Sequence, residues 1–248
     1  MSGQIDLNAD LGEGCAFDAD LMEVVTSCNI ACGGHVGDAR TMREALSLAA
    51  DHGVAAGAHP SFPDGDNFGR SPSLLRGQAL EDALLAQTGA LKDIGDRLGV
   101  SITHVKPHGA LYNMAARDAD LAESVLNVLR SVLPGARLVG PPASELERAA
   151  ADAGVLFLRE GFADRAYEPD GHLRDRSLPE AMIIGEERQV AQACNLVLKG
   201  EVQAYGGTVI PLPVETICVH GDTEGAVASA RAIRRALEQA GWVLCAPG

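Results

Sequence analysis

Residues 27–59 read SCNIACGGHVGDARTMREALSLAADHGVAAGAH, and this stretch decides the fold. Ser27–Cys32 is a short, mostly apolar run of the kind found in strands buried on both faces. Residues 39–52 then place Met42, Leu46 and Ala49 on one helical face, with Asp38 available as N-cap and Gly53 just past the end. Val54–His59 is a second short apolar run. Strand, helix and strand in that order make a βαβ unit, whose two strands run parallel.

The same alternation extends outward in both directions. Further strands are predicted at Ile5–Asn8, Thr103–Lys106, Arg137–Gly140, Val155–Glu160 and Thr216–His220. A long helix is predicted from Gly77 to Leu98, carrying Leu80, Leu84 and Leu91 and stopped by Gly99. Another spans 120–133 with Leu121, Val125, Val128 and Val132, and Pro134-Gly135 ends it. Ser144-x-x-Glu147 spells a capping box for a helix that Gly154 closes. The last two helices are predicted at 186–199 and 223–240, the latter between Asp222 and Gly241. Seven such repeats in 248 residues predict an α/β fold, an irregular TIM-like (β/α) barrel with about seven parallel strands, formed as one domain over residues 1–248. An open doubly wound sheet is the alternative, and Trp242–Cys245 is the one late candidate for an eighth strand. Ser61–Arg76, Gly161–Pro179 and Lys199–Pro213 are too long for simple connections. Segments of that length serve as lids or binding loops or else are disordered, and the third has the makings of a hairpin around Gly206-Gly207.

Composition narrows the function. Against 20 Lys+Arg stand 34 Asp+Glu, a formal net charge of −14, which argues against a binder of nucleic-acid backbones. No stretch approaches the roughly 20 apolar residues of a membrane span. The first residues lack the pattern of a secretion signal, and the six Cys are scattered without a disulfide framework. These features predict a cytoplasmic protein with no nucleic-acid or membrane partner.

Strand after strand ends in residues capable of chemistry: Asn8, Asp10 and Glu13; Asn29, His35 and Asp38; His59 and Asp64; Lys106, His108 and Asn113; Asp164, Arg165 and Tyr167; His220 and Asp222. In a parallel barrel all C-terminal strand ends open onto one face, where active sites form. Five of the seven His (35, 59, 104, 108 and 220) lie at or beside such ends, a sorting that surface scatter does not produce. Plainer readings stand beside these. Asp38 and Asp222 have the residue type and position of helix caps, and His104 alternates within a strand as a core His would. Lys106, ending an apolar strand, is costly to bury without an anionic partner. The chain carries no G-x-x-x-x-G-K-[ST] loop and no G-x-G-x-x-G, G-x-S-x-G or H-E-x-x-H motif.

Six segments, taken in order, resemble the LamB/YcsF family: Ile5-Asp-Leu-Asn-Ala-Asp-Leu-Gly-Glu13, Asn29-Ile-Ala-Cys-Gly-Gly-His-Val-Gly-Asp38, Gly57-Ala-His-Pro60 with Phe68-Gly-Arg70, His104-Val-Lys-Pro-His-Gly-Ala-Leu-Tyr-Asn113, Phe162 to Gly171, and Thr216-Ile-Cys-Val-His-Gly-Asp222. The resemblance implies a seven-stranded irregular barrel akin to glycoside hydrolase and polysaccharide deacetylase barrels. It also implies the role of the A component of an ATP-dependent 5-oxoprolinase, which opens 5-oxo-L-proline to L-glutamate with subunits B and C as partners. Two stretches depart from the family pattern: the segment after Glu13 is shorter, and Gly34 stands where an aromatic residue is common.

A lactam-opening site needs a cation for the substrate carboxylate, donors for the carbonyl oxygen and a base for water. Arg165 or Lys106 suits the first, Lys106 or His108 the second, and Asp10, Glu13 or Asp38 the third, with His35 also among the catalytic candidates. Asn8, His59, Asn113, Asp164, Tyr167 and His220 complete the substrate-binding set. ATP enters through the partners, since no phosphate loop is present. A divalent metal is an open alternative, with His35, His59 and Asp10 as ligand candidates, and it would fit a metal-dependent amidohydrolase or deacetylase acting on a small amide or sugar. No H-x-H pair supports it locally. A regulatory protein that only senses 5-oxoproline is the non-catalytic alternative.

Overall fold

The computed structural model describes residues 3–221 and 225–247. Its elements, in chain order, are β1 (Gln4–Leu11), α1 (Asp18–Met22), β2 (Ser27–Ala31), α2 (Ala39–His52), β3 (Ala55–His59), α3 (Gly77–Leu98), β4 (Ile102–Val105), α4 (Gly109–Ala115), α5 (Ala119–Val132) and β5 (Arg137–Gly140). They continue with α6 (Glu145–Asp152), β6 (Phe157–Phe162), α7 (Glu186–Cys194), β7 (Glu201–Gln203), β8 (Val209–Pro211), β9 (Thr216–Val219), α8 (Ala226–Gln239) and β10 (Val243–Leu244).

Seven parallel strands close on themselves in the order β1-β2-β3-β4-β5-β6-β9, with β9 returning to β1. Asp6 faces Thr216 across the closing seam, and Asp10 faces Asn29 on the other side of β1. All seven predicted strands are present. The late candidate at Trp242–Cys245 contributes β10, which pairs with Gln4–Ile5 of β1 without entering the closed ring. No described helix is long and apolar enough to cross a membrane.

Local chemistry sets the helix ends as the sequence predicts. Asp38 accepts from the Arg40 and Thr41 amides at the start of α2, and Gly53 closes that helix in the left-handed region at φ 67°. Ser144 caps α6, although Glu147 reaches back to the Ala143 amide rather than to that of Ser144 itself. The segment predicted as one helix over 186–199 is α7 followed by a wider turn of π type, Asn195–Lys199, ended by Gly200. The final helix starts from Gly225; Asp222, proposed as its cap, lies outside the described residues. The segment Lys199–Pro213 does hold a hairpin, β7 against β8.

Two environments share most of the barrel strands. Leu7, Ala9, Leu11, Ile30, Ala58 and Val105 join a buried apolar cluster with Leu46, Leu84, Leu91, Val125, Leu129 and Ile233 of the surrounding helices. The alternate positions are polar and equally buried: Asp6, Asn8 and Asp10 on β1, Ser27 and Asn29 on β2, His104 on β4, Glu160 on β6 and Thr216 on β9. Both faces of these strands are buried, as the sequence predicts, but the inward positions carry polar side chains. The interior is instead a connected polar column, as buried polar groups require. Asp6 accepts from the Thr26, Ser27 and Thr216 hydroxyls, and Asn29 Nδ2 donates to Asn8 Oδ1 and Asp10 Oδ1 at 2.8 and 2.9 Å. His104 belongs to this column through Asn29 Oδ1 at 3.0 Å, and Gly57 of β3 makes room for it: a Cβ there would overlap the imidazole.

Candidate active site at the barrel mouth

Above the polar column, strand ends and loops bring the predicted residues to one cavity of about 630 Å³, lined by Asp10, Glu13, His59, Lys106, His108, Asn113, Arg165, Tyr167 and His220 among others. Its size suits a small-molecule site. Lys106, 2% exposed, lies at the centre. Its ammonium donates to Asp10 Oδ1 at 2.9 Å, sits 2.8 Å from Glu160 Oε1, and lies 5.2 Å from the centroid of the Phe162 ring. Burial alone would push its pKa down; its neighbours Asp10, Cys218 and Glu160 outweigh burial and raise it well above the ordinary value. The ammonium is therefore a fixed positive charge in a water-poor pocket.

Three imidazoles pack beside it. His59 Nδ1 faces the Lys106 carbonyl at 2.8 Å, and its Nε2 lies 3.3 Å from Asp10 Oδ2 and 2.9 Å from His108 Nδ1. His108 Nε2 faces the Phe68 carbonyl at 3.0 Å, and its Nδ1 lies 3.4 Å from Glu13 Oε1. His35 stacks on His108 with ring centroids 3.7 Å apart, holds Glu13 Oε1 at 2.9 Å through Nε2, and meets Ser61 Oγ at 3.1 Å through Nδ1. Burial, followed by the neighbouring His59 and His35, drives the His108 pKa far below its ordinary value; burial likewise lowers that of His35. Ser61 is itself held by Gln87, which accepts from the Ser61 amide and donates to its carbonyl. That pair explains Gly34: a Cβ at this position would overlap the Gln87 and Ser61 side chains, so the room an aromatic residue would need is taken.

The far wall is cationic. His220 Nδ1 donates to Asp164 Oδ2 at 2.7 Å, and Arg176 donates to His220 Nε2 at 3.2 Å. Burial opposes the charged form of His220, but Asp164 prevails and raises its pKa. Arg165, 4% exposed, gives Nη2 to the Arg174 carbonyl at 2.7 Å, while its Nε has no hydrogen-bond partner among the described residues. Burial, then the nearby Arg176, lowers the Arg165 pKa to about 10.

Not every candidate reaches the cavity. Asp38 is exposed and spends its carboxylate capping α2, so it is no base for this site. Asn8 lies beneath the cavity, donating to Glu160 and Thr216, and supports the floor rather than touching a ligand. Asp164 acts through His220, and the Tyr167 hydroxyl is turned to the Phe162 amide. Asn113 is exposed on the rim. As for metal donors, His35 is not in the converging group: Asp10, Glu13, His59 and His108 are, with ligand atoms all within 4.8 Å of one another. Glu160 and Arg176 were missed. Glu160 shows no signal other than a carboxylate within an apolar strand, whose cost of burial implies a cationic partner.

A closed ring of seven parallel strands with buried ionised groups at its mouth defines an irregular (β/α) barrel with its site at the C-terminal strand ends. The chain belongs to the LamB/YcsF family, whose model matches residues 5–247. It is 49% identical over 253 aligned positions to the A component of 5-oxoprolinase from Methylococcus capsulatus, covering 100% of this chain and 97% of that protein. The lactam utilization protein of Thermus thermophilus superposes with a TM-score of 0.91 at 39% identity, over 98% of this chain and 100% of that one. The catalytic domain of a peptidoglycan N-acetylglucosamine deacetylase from Eubacterium rectale shares the fold, with a TM-score of 0.52 at 15% identity, over 100% of this chain and 90% of that one.

Proposed function

We propose that this chain opens the lactam of 5-oxo-L-proline to L-glutamate as the A component of an ATP-dependent 5-oxoprolinase, acting in the cytoplasm with subunits B and C. The observation that carries the reading is the buried Lys106 ammonium, fixed between Asp10 and Glu160 at the foot of the cavity. The names of the two full-length relatives, a 5-oxoprolinase component and a lactam utilization protein, supply the substrate class.

An unstrained amide yields to water only when negative charge growing on its oxygen is stabilised and water is deprotonated. Lys106 supplies a preorganised charge for that oxygen. Arg165, with Nε unpartnered, suits the ring carboxylate through a charge-assisted hydrogen bond. Asp10 or Glu13, facing the cavity beside His59 and His35, takes the proton from water. The apolar wall of Phe162 and Tyr112 excludes bulk solvent and strengthens these interactions. ATP is handled by the partners in this reading, which the lack of a phosphate loop supports.

The test is reconstitution. Chain, subunits B and C, ATP and 5-oxo-L-proline together release glutamate; omission of any protein abolishes it. Turnover by this chain alone with ATP would overturn the division of labour. Failure of the full mixture, with hydrolysis of an N-acetylated sugar or another small amide in its place, would overturn the substrate.

A further inference from the structure

The two imidazoles at the foot of the cavity are locked in complementary tautomers. Carbonyl oxygens only accept, so the contacts to the Lys106 and Phe68 carbonyls place a proton on His59 Nδ1 and on His108 Nε2. That leaves the lone pairs of neutral His59 Nε2 and His108 Nδ1 aimed at one another across 2.9 Å. Asp10 Oδ2 and Glu13 Oε1 point at the same spot, 3.3 Å from His59 Nε2 and 3.4 Å from His108 Nδ1 respectively, with His59 Nε2 to Glu13 Oε1 at 3.9 Å. Four electron-pair donors thus converge on one spot at the foot of the cavity.

From these donors we infer a divalent transition-metal site formed by Asp10, Glu13, His59 and His108, with Zn²⁺ as the ion its chemistry best suits. The distances agree with this. Ligand bonds of about 2.0–2.1 Å give a tetrahedron with edges of about 3.3–3.4 Å; four of the six separations scatter around that value, and all six lie within 4.8 Å. Charge agrees as well. Asp10, Glu13 and Glu160 bring three carboxylates together beside Lys106 and His220, an acidic grouping that suits a cation. The supporting contacts are those of a metal centre: each imidazole is oriented by a carbonyl on its far nitrogen, and Glu13 is held by His35, which Ser61 steadies in turn. His35 is therefore a positioning residue for Glu13.

Two imidazoles favour Zn²⁺ and its neighbours over Mg²⁺ or Ca²⁺, which prefer oxygen alone. All four donors line the cavity, so a bound ion would face the ligand beside Lys106 and would activate water there in place of a free Asp10 or Glu13 carboxylate. The inference stands apart from the lactam reading, because binding is read without substrate.

The experiment stores the full chain in metal-free buffer, titrates it with Zn²⁺ or Mn²⁺ by calorimetry, and measures metal content after gel filtration. About one equivalent of Zn²⁺ per chain is expected, with a raised melting temperature. His108→Gln should lose it. Should that variant misfold, Glu13→Gln tests the same point and should weaken affinity at least about 10-fold, while Asp38→Asn leaves it unchanged. Under these conditions, no uptake of either ion and no thermal shift would overturn the site, as would full stoichiometry in both His108→Gln and Glu13→Gln. A single proton bridging the two rings in ¹⁵N imidazole spectra with Zn²⁺ present would overturn it too.

Discussion

Lys106→Met keeps the length and apolar stem of the side chain and removes only the ammonium between Asp10 and Glu160. The two carboxylates, at 2.9 and 2.8 Å from the missing charge, are then left facing each other with no cation between them, in a region where the lysine was 2% exposed. Deleting one partner of such a buried pair costs about 3–5 kcal/mol, a large share of the roughly 5–15 kcal/mol that hold a typical domain together. Urea unfolding at pH 7 followed by circular dichroism reads this as a lower midpoint at unchanged slope. Part of the loss is relieved at lower pH, because the stranded carboxyl has a raised pKa in the variant and regains neutrality as protons bind. Adding Glu160→Gln removes one stranded charge, so the double variant should be more stable than the sum of the single losses predicts, by about 1–3 kcal/mol of coupling. A loss below about 1 kcal/mol in Lys106→Met, or strict additivity of the pair, would refute the assignment of Lys106 as the charge that neutralises this site.

Two further outcomes follow from the same structure. Asp38→Ala should lower the melting temperature slightly by uncapping α2 while leaving reconstituted turnover unchanged, whereas a tenfold fall in turnover would return Asp38 to the site. His104 is held neutral, its pKa pushed down from 6.5 to about 3 by burial and then by the charge of Lys106. Below pH 6.5 the unfolded chain takes up a proton that the folded one refuses, so stability falls with pH until about 3, by up to about 5 kcal/mol at about 1.4 kcal/mol per pH unit. Unfolding midpoints between pH 7.5 and 4 should therefore drop less steeply in His104→Gln than in the parent, and equal slopes would show that His104 is not the group responsible.

The strand positions were legible because each is a short apolar run between turn residues, and helix ends because Asp38, Gly53, Ser144 and Gly99 act locally. What lay beyond local reading was which face of a strand looks inward. Asn8 and Asp10 appear in sequence as the polar tail of an apolar run, yet β1 continues to Leu11 and places both inside the barrel. The mouth was foreseen as a gathering of charges, and His35, His59, Lys106 and Asp164 do gather there. Their division of labour was not foreseen. His35 and His108 look alike in sequence, and only the Phe68 carbonyl, 40 residues before His108, fixes the proton that distinguishes them. Asp38 misled for the reverse reason, since a cap and a catalytic carboxylate share the same residue type and the same position after a loop.

The first strand borders three others, β2, β9 and β10, and two of these lie more than 200 residues downstream. During synthesis, Asp6 and Asn8 must wait for Thr216 before their hydrogen bonds across the closing seam exist, so ring closure is among the last events of folding. A ribosome-bound chain lacking its final segment presents an unpaired edge with half-satisfied polar groups behind it, the form of this molecule most in need of chaperone protection.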